Sequence, residues 1–148
     1  MSARNGVATK SDVATGTAVK TLLQVVAAAN HAIKITEYGI SFNGVNNTHE
    51  PILVELLRQT TAGTMSALTP VKADDSGADT FDTTAQHTAT AEPTGGDVIR
   101  SHYVHPQTGL VVPVGDEAPI VVGAGDRVGL RVTAANDVKA APHICFEE

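Results

Sequence analysis

The amino-acid sequence predicts an all-β protein, an antiparallel sandwich, and three observations carry that prediction. Short runs place apolar residues at every second position, as Val128, Leu130 and Val132 do with Gly129 and Arg131 between them, which is the period of a strand with one buried face. Gly, Pro and Asn-Asp turns separate these runs, at the close spacing of sandwiches and barrels. No long segment holds the 3.6-residue period of an amphipathic helix.

Taken in order, residues 1–17 (MSARNGVATKSDVATGT) mix small, polar and charged residues without an apolar period. Such a composition predicts a flexible N-terminal arm, dispensable for folding, ahead of a single sandwich domain over 18–148. AVKTLLQVVAAA has the Ala and Leu content of a helix but runs directly into AIKITEYGISFNG, where β-branched and aromatic residues alternate with polar ones, so both read as strands. Within the second, Ile33 and Ile35 share one parity while Tyr38, Ile40 and Phe42 share the other, which predicts a bulge or a change of sheet near Thr36 and Glu37. Asn43-Gly44 reads as a turn. PILVELLRQ is apolar on both faces and is expected to be covered twice, by the core and by a neighbour. Residues 60–97 are poor in large apolar side chains and predict long loops with short strands near 67–72 and 85–91. DVIRSHYVH, GLVVPVG, APIVV, RVGLRVTA and PHICFEE then complete the strands. The expected core is Ile33, Ile35, Tyr38, Ile40, Phe42, Val54, Leu56, Val104, Leu110, Val112, Val128, Leu130, Val132, Ile144 and Phe146.

At 148 residues the chain suits one domain that buries roughly two-thirds of its unfolded surface. Cys145 is the single cysteine, so no intrachain disulfide forms, and folding in a reducing cytoplasm is expected. No apolar run reaches the length of a signal-peptide core or a membrane span. The net charge is −6 and Lys and Arg are scattered, which argues against nucleic acid as a partner, since phosphate binding needs clustered positive charge. The chain has no Trp and few other aromatics, which weakens base-stacking and sugar-stacking readings.

The patterns that resemble chemistry dissolve when their spacing is tested. VVGAGDRVGLRVTA gives G-x-G-x-x-x-G ahead of a strand, whereas a dinucleotide fingerprint needs G-x-G-x-x-G opening a helix; the reading is a turn. His102 and His105 are three residues apart on a strand, so they project to opposite faces, unlike the H-x-H of a cupin metal site. Asp74, Asp75, Asp79 and Asp82 lack the order of an EF-hand loop and read as a solvated loop with a weak calcium site as the alternative. His143 and Cys145 do share a face, but no third group is indicated to activate a Cys-His nucleophile. Asn46-Asn47-Thr48 fits the glycosylation pattern and reads as a polar turn. No G-x-S-x-G elbow is present, and the expectation is a protein that is not an enzyme and that uses no cofactor or metal.

The layout of a polar arm, TAVKTLLQVVAAANHAIKITEYGISFNG, a Thr/Ala/Pro-rich middle, GLVVPVG, VVGAGDRVGLRVTA and a final strand ending ICFEE resembles the small capsid cement, or decoration, proteins of tailed bacteriophages. The resemblance covers nearly the whole chain from about residue 18 as a likeness of layout and composition, with no diagnostic motif. It implies a jelly-roll-like β-sandwich that assembles as a homotrimer on the outer surface of a phage head, after folding in the host bacterial cytoplasm. There it would bind the major capsid protein and bridge capsomers, with neither nucleic acid nor membrane as partner. Arg4, Lys10, Lys20, Arg127 and Arg131 are the expected capsid or subunit contacts, since Arg is enriched at interfaces. The alternative is a receptor- or sugar-binding head domain of a phage tail.

Overall fold

A computed structural model of the chain describes residues 4–43, 50–74 and 80–148. Among the described residues thirteen strands follow one another: β1 (Asn5–Thr9), β2 (Val13–Ala14), β3 (Lys20–Val26), β4 (Ile33–Asn43), β5 (Ile52–Gln59), β6 (Thr64–Leu68), β7 (Val71–Lys72), β8 (Thr84–Ala91), β9 (Gly95–Val104), β10 (Leu110–Pro113), β11 (Ile120–Val122), β12 (Arg127–Thr133) and β13 (Lys139–Glu147). They form two antiparallel sheets packed face to face, as the alternation predicts. Sheet A runs β10-β4-β13-β1-β7, with β11 also on β4 and β2 on β13. Sheet B runs β6-β8-β3-β12-β5-β9. Without β6, β7 and β8, the four-stranded cores are β1-β13-β4-β10 and β3-β12-β5-β9, and the chain crosses between sheets at almost every step. That connectivity is a jelly roll. The segment from β6 to β8 is an insertion that widens both sheets on one side.

The alternating sequence of β13 organises sheet A. Ala140, Pro142, Ile144 and Phe146 are buried while Ala141, His143, Cys145 and Glu147 face outward. Its register on β4 slips so that Cys145 opposes Glu37 while Phe146 opposes Ile35, leaving Thr36 as the extra residue of a bulge. This bulge accounts for the change of parity in β4 and keeps Ile35 and Tyr38 both inside. Of the expected core, Phe42, Leu110 and Val112 are only partly buried against it, and the others are buried. The core also takes in Leu22, Leu23, Val25, Ile52, Ile120 and Val122. Across it, the Tyr38 hydroxyl meets His102 Nε2 at 2.7 Å, joining β4 of one sheet to β9 of the other.

The arm expected over 1–17 is not an arm where it is described. Asn5–Thr9 pairs along its whole length with β13, Val13–Ala14 adds a second short pairing, and Ala8 and Val13 are buried. The domain therefore begins at least at Arg4, whose backbone exchanges hydrogen bonds with Glu148. The physical reason lies in the crowding that small residues permit: a Cβ on Gly6 would stand 2.6 Å from the Phe146 ring and 2.8 Å from Phe81. Residues that look too small to build a core are the ones that fit against these rings.

The double cover expected for the 51–59 strand is supplied within the chain. Leu56 faces the core and Leu57 is equally buried on the other side of sheet B. There the segment joining β8 to β9 crosses over the sheet, tied to β3 by Glu92, which accepts from the Thr21 amide at 2.8 Å, and to the end of β5 by Thr60 N donating to Thr94 O. A Cβ on Gly95 would lie 3.3 Å from Leu57 Cδ1. The glycine-rich turn also behaves as expected: Gly125 has φ +77°, Asp126 N donates to Gly123 O, and β12 follows directly. The Asn43-Gly44 turn and the Asn46-Asn47-Thr48 pattern extend outside the described residues.

Leu130, fully buried at the centre of β12, tests the packing. Leu130→Ala is expected to lower the unfolding free energy by about 2–5 kcal/mol, read from urea denaturation, with the denaturant slope unchanged.

Candidate functional site

The basic residues singled out in the sequence do not form one patch, and two of them are committed to intramolecular pairs. Arg131 holds Glu55 with Nη2 at 3.0 Å and Nε at 3.3 Å from Oε1, on the outer face of sheet B. Arg127 lies on that same face of β12, about 13 Å along the strand, in a shallow cleft of about 300 Å³ with Arg58, Gln59 and Asp126. Lys20 opens β3 and borders a second cleft of about 440 Å³ with Thr17, Val19 and Glu92. Lys10 is exposed just after β1. Arg4 is half-buried on the other sheet, donating to Thr80 O at 2.6 Å and pairing with Glu148 at 3.0 Å.

Glu148 is the hub of a structural cluster. Its carboxylate, whose side chain has no exposure, accepts from Arg4 Nη2, from the Asp82 amide at 3.0 Å and from the Thr83 amide at 3.1 Å, and it meets His31 Nε2 at 2.9 Å. Burial alone would raise its pKa; the hydrogen bonds from Asp82, His31 and Thr83 outweigh that and hold it below the ordinary carboxylate range. Four separate stretches of chain, around residues 4, 31, 82 and 148, thereby meet at one anion. His31, Asp82 and Glu148 could also gather round a cation, but the guanidinium of Arg4 already occupies that carboxylate.

A second cluster stands on the outer face of sheet A. Cys145 lies opposite Glu37, and His143 opposite Gly39. His143 Nε2 meets Glu37 Oε1 at 2.9 Å, and the ligand atoms of Glu37, His143 and Cys145 all lie within 4.8 Å of one another. Glu37 is the third group that the spacing of His143 and Cys145 alone does not reveal, because it comes from the neighbouring strand. Burial, and then the charge of Glu37, push the Cys145 thiol up. That is the reverse of the low pKa that marks an activated cysteine nucleophile.

The remaining sequence candidates separate in space. His102 turns inward to Tyr38, whereas His105 lies beyond β9, where its Nδ1 accepts from Gln107 N at 3.1 Å. Of the acidic run, Asp74 and Asp82 are exposed, and Asp75 and Asp79 lie outside the described residues.

Exposed apolar side chains fall mainly on the strands along one edge of the sandwich, but on its two outer faces: Val98 and Tyr103 stand opposite Leu57 and Leu53 on sheet B, Val111 and Val121 opposite Gly39 and Lys34 on sheet A. The six large exposed ones among the described residues are Val19, Val71, Val98, Tyr103, Val111 and Val121; the last four belong to β9, β10 and β11. β9 is an edge of sheet B, β10 is an edge of sheet A, and β11 pairs with the same strand β4. The turn at 105–109 joins the two edges, with Thr108 N and Gly109 N both donating to His105 O. Tyr103 is 78% exposed.

No family model matches the chain, and neither a curated protein nor a solved structure matches it.

The Glu148 cluster generates a pH prediction. Its carboxyl binds a proton less readily folded than unfolded, so its contribution is fully present above the ordinary Glu pKa of about 4.3. That contribution is lost as pH falls from there through the lowered folded value. Glu148→Ala is expected to cost about 1–3 kcal/mol at pH 7, through donors left unpaired. The difference from the parent should shrink in denaturation curves taken at successively lower pH.

Proposed function

We propose that the chain is a capsid cement protein of a tailed-phage head, a binding protein that self-associates as a homotrimer and bridges capsomers from the outside. The observation that carries this reading is the edge strand β9, with Val98 and Tyr103 exposed on one face of it. β9 is a ten-residue strand with one edge unpaired among the described residues, and an edge of that length is a template for another chain unless something covers it. Val98 and Tyr103 on it are exposed, and Tyr is enriched at protein interfaces. Support also comes from the jelly-roll connectivity, which the resemblance to cement proteins implies, and from the resemblance itself, which supplies the number three and the capsid as partner.

The reading shifts the contact surface away from residues first expected to supply it. Arg4 and Arg131 are held by Glu148 and Glu55 and serve the sandwich itself. Arg127, Lys20 and Lys10 keep the role of capsid-facing charges. A trimer has a physical use on a three-fold site: after one contact forms, the next two are intramolecular, and avidity rises by a factor of roughly 10² to 10⁴.

Sedimentation velocity at micromolar concentration is expected to show a trimer. Val98→Asp should shift it toward monomer while changing the monomer's stability by no more than about 0.5 kcal/mol. Purified undecorated capsids should bind the parent protein at saturable occupancy and gain heat resistance. Binding to a glycan array with no capsid occupancy would favour a tail receptor-binding domain instead.

A further inference from the structure

We propose that Glu37, His143 and Cys145 form a three-ligand site for a zinc-class divalent cation on the outer face of sheet A. Their spacing suits it. Metal–ligand bonds of 2.0–2.3 Å at tetrahedral angles place donor atoms about 3.3–3.7 Å apart. Here the His143–Glu37 pair is at 2.9 Å and no pair of the three donor atoms exceeds 4.8 Å, so small side-chain rotations bring all three to bonding distance.

The backbone is arranged for this cluster. All three residues stand on β4 and β13, adjacent strands in the interior of sheet A, so their directions are fixed by the ladder and not by a loop. His143 lies across Gly39: a Cβ there would stand 2.5 Å from His143 Cε1 and 3.2 Å from Nε2. Only a glycine lets the ring lie down and carry Nε2 to Glu37. Pro113 opposes Glu37 on one side and Val7 opposes Cys145 on the other, so apolar residues flank the row. The donor set of thiolate, imidazole and carboxylate is that of zinc and its soft neighbours.

Charge and protons balance. The cation displaces the thiol proton of Cys145 to solvent, and one thiolate and one carboxylate neutralise its two positive charges with His143 bound as neutral imidazole. Three protein ligands leave the fourth position, on the solvent side, to water or to a donor from another molecule. The cluster at Glu148 offers no equal site, because Arg4 is paired to its carboxylate at 3.0 Å.

The test is a titration of the full-length, chelator-treated protein with Co²⁺. The expected result is one equivalent bound per chain, with a thiolate-to-cobalt charge-transfer band in the near ultraviolet and the intense visible bands of tetrahedral cobalt, both abolished by Zn²⁺. Cys145→Ser should remove the charge-transfer band while the circular-dichroism spectrum stays that of the parent. Glu37→Gln should weaken binding at least about tenfold, the loss that even outer contacts of metal sites produce; Glu148→Gln should leave it unchanged. Absence of a charge-transfer band in the parent protein overturns the proposal, as does a band that survives Cys145→Ser. An unaltered affinity in Glu37→Gln removes Glu37 from the site and overturns the three-ligand assignment.

Discussion

Everything in sheet A depends on the register of its middle strand, β13. It is the last strand in the chain, yet it lies between β4 and β1 and pairs with both. Because its side chains alternate, its register decides at once which residues enter the core and which face out. Ile144 and Phe146 fill the interior only if His143 and Cys145 stand outside beside Glu37. A slip of one residue would expose the first pair and bury the second. The bulge at Thr36 of β4, opposite the step from Cys145 to Phe146, lets β4 follow the alternation of β13, and Glu148, just beyond, fastens that end with its buried carboxylate. The core, the closure of the sandwich and the cysteine cluster therefore share one cause.

That cause also explains what the sequence could and could not reveal. Alternation is local, so β4, β5, β12 and β13 and nearly all of their core residues could be read directly, and the parity change at Thr36–Glu37 announced its bulge. The turn before β12 was equally legible, since Gly125 needs the left-handed conformation it adopts. β1 was not, because Gly6 and Ala8 carry no apolar signal of their own; Gly6 is packed only because Phe146 and Phe81 close over it, and Ala8 is buried opposite Ile144. Glu37 escaped for a related reason: its neighbours in space are more than 100 residues away, at His143. Nor does a sequence pair Arg131 with Glu55 or Arg4 with Glu148; both pairs depend on strand order. Strand order thus commits Arg4 and Arg131 to pairs inside the sandwich.

The two sheets present different surfaces. Sheet B is partly roofed by the crossing segment from β8 to β9, beneath which Gln24 Nε2 donates to Gln59 Oε1 at 2.7 Å and Gln59 Nε2 donates to Thr21 Oγ1 at 2.9 Å, a polar chain kept from water. Among the described residues no segment roofs His143, Cys145 and Glu37 on sheet A, and each of the three is part-exposed. β9 and β10 are the edge strands of the two sheets, and Glu37 is one strand inward from β10, opposite Pro113.

The most direct measurement is native-state amide hydrogen exchange across β1 and β13. If β1 is an integral strand of the sandwich, its ladder amides exchange as slowly as those of β13 and with the same dependence on denaturant, both opening with global unfolding. Rapid exchange throughout 5–9 alongside a protected β13 would contradict the account, returning those residues to the role of an arm laid on a sheet that closes without it.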